Sequence, residues 1–291
     1  MGTKNLSILT TLNLSSKTET VVQSKEEGFK TGYALIIVTV VIVIGNSFVL
    51  WTVKSFSKRL VTDIFIFSLA LLDILHTLTS ILLAIIFKWT FLQNKEFTIL
   101  CKIQGWFTVT TQTHSAFIVT LINLERLTAV GRPFFYKTYV NIRMAVKILI
   151  LLLFVSICVA SLPLIAWGNY VLLPKMALCI FAHDSDYAIF ILVIGYADFL
   201  FVFYCFFAIK ISLKKFLERQ ARFAARRGAI VDLQASGVVL TKTASLSFIQ
   251  SQRLLKVTAM VSGLFYFSWL PLMVSITRAQ VTREPSYALN L

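Results

Sequence analysis

The chain has 291 residues, 57% hydrophobic and 14% charged, with a net charge of +15 and a mean hydropathy of +0.81. A soluble domain of this size carries nearer a quarter charged residues, so the excess apolar surface faces something other than water. In a soluble protein the positive balance would suggest nucleic acid; here Lys and Arg gather between apolar runs, which points to cytoplasmic loops and anionic lipid headgroups and to no nucleic-acid partner.

In chain order, residues 1–32 form an N-terminal segment without the charged head, short apolar stretch and small-residue cleavage site of a removable signal peptide. A hydrocarbon core about 30 Å thick takes roughly 20 helical residues to cross. Six runs are long enough: 33–53, 64–87, 103–124, 148–167, 187–209 and 257–277. None alternates like a barrel strand. The expected fold is an all-α membrane protein, a transmembrane helix bundle with six visible spans. Residues 210–256 make the third inner loop, and 278–291 a short polar tail.

Charge sets the direction of the chain. Ahead of the first span Lys25, Glu26, Glu27 and Lys30 cancel, and behind it stand Lys54, Lys58 and Arg59. The positive-inside rule therefore puts the N-terminus outside the cell. Loops made cytoplasmic by this choice hold 18 Lys or Arg, and the outer loops only Lys88, Lys95, Lys102 and Lys175. Two glycosylation sequons, at Asn5 and Asn13, also lie on the outer side. Cys158 and Cys205 fall within spans, as small apolar thiols do. Cys101 and Cys179 both face the oxidising side, where a disulfide can form.

Several motifs then line up in order. The first span carries Gly45-Asn46 followed by Val49, and the second Leu69-Ala70-Leu71-Leu72-Asp73. Glu125-Arg126 ends the third span, with Arg126 25 residues after Cys101, and the last span carries Phe265 and Ser268-Trp269-Leu270-Pro271. The set resembles the GNxxV, LAxxD, DRY and FxxCWxP motifs of rhodopsin-like (class A) G-protein-coupled receptors, over residues 33–277. Within that family, ERLTAVGRPFFYKTYVNIRMA (125–145) and LPLIAWGNYVLLPKMALCIF (162–181) are similar to the second inner loop and second outer loop of prostanoid receptors.

The resemblance implies a plasma-membrane receptor, not an enzyme, that passes an extracellular small-molecule signal to a heterotrimeric G protein. It implies that Cys101 and Cys179 are paired, and that Glu125 and Arg126 are a switch facing the G protein. The plain alternative for the arginine is snorkelling at a helix end. Asn46 and Asp73 would belong to an intramembrane polar cluster that can hold a sodium ion, or would fasten two helices. Phe265, Trp269 and Pro271 would form the toggle and hinge of the last span. Thr108, Thr111 and Trp269 are the candidates for a ligand pocket, suited to a prostanoid or other lipid-like molecule; threonines can equally bond back to their own helix. His76, His114 and Asp198 also lie within spans, too scattered to hold a metal.

The pattern departs from the family after Thr277. The remaining RAQVTREPSYALNL is too short and polar to cross, so the seventh span and its NPxxY are not seen. The readings left open are a signalling receptor, a non-signalling decoy or dimerising regulator of a full-length receptor, and, more remotely, a six-helix transporter or channel.

Overall fold

The computed structural model describes residues 30, 32–55, 60–90, 95–165, 167–173, 178–182, 185–228 and 237–282. They form a helical bundle with one hairpin. The first helix, α1, spans Gly32–Ser55. Then come α2 (Val61–His76), a π turn (Thr77–Ile81) and α3 (Leu82–Thr90). The long α4 (Lys95–Gly131) is followed by the short α5 (Pro133–Tyr139) and by α6 (Ile142–Ile165). A two-stranded antiparallel hairpin, β1 (Tyr170–Leu173) and β2 (Leu178–Phe181), precedes α7 (Asp186–Gly228) and α8 (Gly237–Thr282). Asn5 and Asn13 lie outside the described residues.

Among the described residues five segments are long and apolar enough to cross a membrane: Gly32–Ser55, Val61–Ile86, Ile142–Ile165, Asp186–Lys215 and Lys256–Thr282. The run expected at 103–124 lies within α4, which is too polar to meet that measure. Its position explains the polarity. α4 is the axis of the bundle, touching α2, α5, α6, α7, α8 and both strands. Its Gln104, Thr108, Thr110, Thr111, His114, Ser115 and Asn123 are buried against protein, so a polar side chain there finds partners that lipid could not offer. α1 is the opposite case: no residue of its most apolar stretch is buried within the bundle.

Two helices outrun the apolar segments that define them. α7 continues past Ile209 to Gly228, and α8 begins at Gly237, ahead of Val257. At about 1.5 Å per residue, a helix of 43 residues is roughly 65 Å long, about twice the hydrocarbon thickness. The stretch KKFLERQARFAARR holds no Gly or Pro and is rich in Ala, Lys and Arg, all good helix formers.

Local irregularities in the helices are matched by partners. Pro163 inside α6 has no N–H to give the carbonyl four residues earlier. That carbonyl, Val159 O, instead accepts from the Tyr187 hydroxyl at 3.1 Å. The Tyr170 hydroxyl donates to the next one, Ala160 O, at 2.7 Å. In the π turn, the Ser80 carbonyl accepts from Gln104 Nε2 at 2.7 Å. Gln104 Oε1 in turn accepts from the backbone N–H of Cys179 at 2.9 Å. One buried amide thus ties α4 to the π turn and to β2. Beside it the Cys101–Cys179 disulfide fixes the hairpin to α4, with Cα atoms 5.3 Å apart. The Tyr170 ring lies on Gly105, where a β-carbon would come within 2.3 Å of it. Gly168, just before β1, has φ +117°, a conformation that favours glycine.

Candidate functional site

Beneath the hairpin, α4, α6, α7 and α8 enclose a cavity of about 900 Å³, its open mouth included. Its walls are apolar: Val109 and Phe117 from α4, Leu192 and Ile194 from α7, Leu272 and Met273 from α8. Phe181 of β2 and Ile276 of α8 line it at the hairpin end, both buried. Such a character suits a small organic ligand. Gly195 makes the α7–α8 wall possible, because a β-carbon there would meet Met273 Cε at 2.3 Å.

The end of the cavity away from the hairpin is closed by a hydrogen-bonded junction. Asp198 of α7 accepts from the Thr120 hydroxyl of α4 at Oδ1, and from the Tyr266 hydroxyl of α8 at Oδ2, 2.6 Å away. Both carboxylate oxygens are therefore engaged, and three helices meet at one side chain. Tyr266 also packs edge-on against Phe199 of α7 at 5.1 Å between ring centres. Its neighbour Phe265 stands 6.3 Å from Trp269, and all three of Phe265, Tyr266 and Trp269 line the cavity. One turn further along α4, Asn123 Nδ2 donates to Ser262 Oγ of α8 at 2.7 Å. Pro271 sits inside α8, two residues beyond Trp269.

Next along α4 come Glu125 and Arg126, both buried. Arg126 Nε lies 2.7 Å from Glu125 Oε2, and Nη2 donates to Oε1 at 3.1 Å. Thr62 of α2 donates to Oε2 at 2.8 Å, and Tyr136 of α5 donates to Oε1. Glu125 thus holds the guanidinium while joining α2, α4 and α5. A charge pair this buried persists only where its oxygens are satisfied, as they are here. Burial first, and the Glu125 hydrogen bond next, push the Tyr136 phenol above its ordinary range, which keeps it a donor. Phe134, on the same short helix, is 88% exposed.

The remaining expected residues fall in different places. Thr108 and Thr111 do not line the cavity. The Thr108 hydroxyl pairs with Ser80 Oγ at 2.8 Å, and Thr111 Oγ1 meets His76 Nδ1 at 3.0 Å, so both face α2 and the π turn. Thr111 also bonds back to Phe107 O. Thr113, on the same Thr-rich stretch, lines the cavity instead, as does Gln112. Asn46 and Asp73 share no hydrogen bond: Asn46 Nδ2 is spent on Ile42 O of its own helix at 3.1 Å. His76 is held by Thr111 and Gln112, and His114 is buried with no hydrogen-bond partner for Nδ1 among the described residues.

Sequence reasoning missed Gln104, Thr120, Thr62, Tyr136 and Tyr266. Only Asp198 left a signal, since an acid within an apolar run needs donors; which residues supply them depends on how the helices rotate.

The arrangement has a known counterpart. Squid rhodopsin superposes on this chain with a TM-score of 0.78 at 21% identity, over 91% of this chain and 77% of that one. That likeness defines a rhodopsin-like helix bundle. No curated protein sequence matches the chain. The profile described as "7 transmembrane receptor (rhodopsin family)" matches residues 45–288. The chain belongs to the rhodopsin family of seven-transmembrane receptors, a multi-pass membrane family of signalling receptors and not of enzymes.

Proposed function

We propose that this chain binds an extracellular ligand in the cavity and transmits its presence to a heterotrimeric G protein at the Arg126 end. It does so from the plasma membrane, with its N-terminus outside, as the loop charges and the sequons favour. The observation that carries the reading is the Thr120–Asp198–Tyr266 junction. Tyr266 touches the cavity and at the same time ties α8 to α7 and α4. A ligand that moves Tyr266 loosens that tie, and α8 is free to swing about Pro271. Arg126 then leaves Glu125 and presents its guanidinium, beside the exposed Phe134, to the G protein. The apolar lining favours a lipid-like molecule. For a prostanoid, the described lining residues include no Lys, Arg or His to meet the carboxylate.

The test is nucleotide exchange on purified heterotrimeric G proteins by the full chain in lipid nanodiscs. Tyr266→Phe removes one donor to Asp198 and is expected to raise basal exchange several-fold. Arg126→Ala is expected to abolish it in the same background. Basal exchange by Tyr266→Phe equal to wild type, across the G protein classes, contradicts the reading. A decoy or dimerising regulator of another receptor would give that flat result.

A further inference from the structure

A short chain of hydrogen bonds leads from the cavity wall to α2, and its direction can be traced from the far end. Thr111 Oγ1 lies 2.9 Å from Phe107 O and 3.0 Å from Thr108 O, and a carbonyl can only accept. The single hydroxyl proton of Thr111 is therefore given to its own helix. His76 Nδ1 stands 3.0 Å from the same hydroxyl oxygen, so this ring nitrogen must be the donor. His76 forms no ion pair among the described residues, and a charged ring within the bundle would need one. In the neutral ring one nitrogen carries the proton and the other accepts. With Nδ1 protonated, Nε2 accepts. Gln112 must then offer it the amide nitrogen and not the amide oxygen, in keeping with the 3.2 Å between Gln112 Nε2 and His76 Nε2.

Gln112 lines the cavity and His76 does not. His76 is the last residue of α2, with the π turn starting at Thr77. Because the amide nitrogen is drawn toward α2, the amide oxygen is left over, and it has no hydrogen-bond partner among the described residues. Trp269 and Thr113 line the same cavity, and an indole N–H and a hydroxyl can both donate. Another acceptor in the lining, Asp198, sits at the far end with the Thr120 and Tyr266 hydroxyls upon it. Gln112 Oε1 adds an acceptor that an O–H or N–H can satisfy.

Taking the cavity as the ligand site, we propose that His76 is a positioning residue. It holds the Gln112 amide with Oε1 toward the cavity, where that oxygen accepts from a donor on the ligand. In a lipid-like ligand the donor is a hydroxyl or an amide N–H. An ether in its place leaves the Gln112 oxygen unmatched.

Two measurements on the full chain in nanodiscs test this without any signalling step. The first is nitrogen NMR with labelled histidine, the His76 signals being those lost in His76→Gln. A proton on Nδ1 and none on Nε2 is expected; a proton on Nε2 overturns the proposal. The second uses two isomeric fluorescent tetraene chains, one ending in a primary alcohol and the other in a methyl ether. Binding is read by energy transfer from tryptophan, as the part displaced by excess unlabelled chain of the same kind. The alcohol is expected to bind about 3- to 10-fold more tightly than the ether. His76→Leu is expected to weaken the alcohol alone and so remove that preference. His76→Gln, whose amide oxygen can accept in place of Nε2, is expected to restore it. Misfolding would weaken both probes together. Equal binding of the two by the wild-type protein, a parallel loss of both in His76→Leu, or no saturable binding by either overturns the proposal. Nucleotide exchange tests the receptor reading separately, and a flat result there leaves the proton position and the probe preference as they stand.

Discussion

Gly105 and Tyr170 show how far a single atom decides the architecture at the hairpin end. A β-carbon on Gly105 would sit 2.3 Å from the Tyr170 ring, so Gly105→Ala must push the hairpin off α4. The expected cost is about 1–3 kcal/mol, seen as a lower midpoint of thermal unfolding in detergent; an unchanged midpoint contradicts the close seating. Tyr187→Phe leaves the Val159 carbonyl, already deprived of its helix partner by Pro163, without a donor. A loss of about 1–3 kcal/mol is expected in the same measurement. Residues of this kind were not readable in advance. Gly105 looks like any glycine, and Tyr170 like any loop aromatic, until the hairpin folds over α4. Glu125 and Arg126 were readable because a charge pair at the foot of an apolar run needs a reason. Their partners Thr62 and Tyr136 were not, because each comes from a different helix.

Among the elements, α4 carries most of the functional groups, and it is the helix whose composition is least like a membrane span. Hydropathy found α1, α2, α6, α7 and α8 as long apolar runs. α4 was found as an apolar run, yet its central place, which makes Gln104, Asn123 and Thr120 useful, showed only in the packing. The hairpin is held to it by Gln104 and by the Cys101–Cys179 disulfide, whose half-cystines are 78 residues apart in sequence. Replacing both cysteines by serine is expected to cost about 2–5 kcal/mol, measurable as a lower unfolding midpoint that reducing agent no longer changes. The junction of α4, α7 and α8 makes a second element-level prediction. Thr120→Val and Tyr266→Phe each remove one donor to the same carboxylate. Their effects on stability should therefore not add, with a coupling of about 0.5–3 kcal/mol in a double-mutant cycle. Strict additivity would mean that Asp198 does not link the two helices.

For the whole molecule, the fold class could be read from composition and from motifs spaced along the chain, and the family profile and the squid rhodopsin superposition agree with it. What composition could not supply was the internal line of connection. The cavity, the Asp198 junction, the Asn123–Ser262 bond and the Glu125–Arg126 pair succeed one another along α4, and the first three involve α8. In the proposed function, this succession is the route by which a molecule at one end of the bundle is felt at the other.

The central claim is that the junction restrains α8. It is tested most directly by the distance between spin labels on cysteines placed at Thr138 of α5 and Lys256 of α8, both exposed, in a protein whose exposed Cys158 is replaced by serine. In the background that keeps Tyr266, a single short distance is expected. Tyr266→Phe should add a second population several ångström longer, as α8 moves away from Arg126. If the distribution is the same with and without the Tyr266 hydroxyl, the junction does not hold α8 and the account of signalling fails.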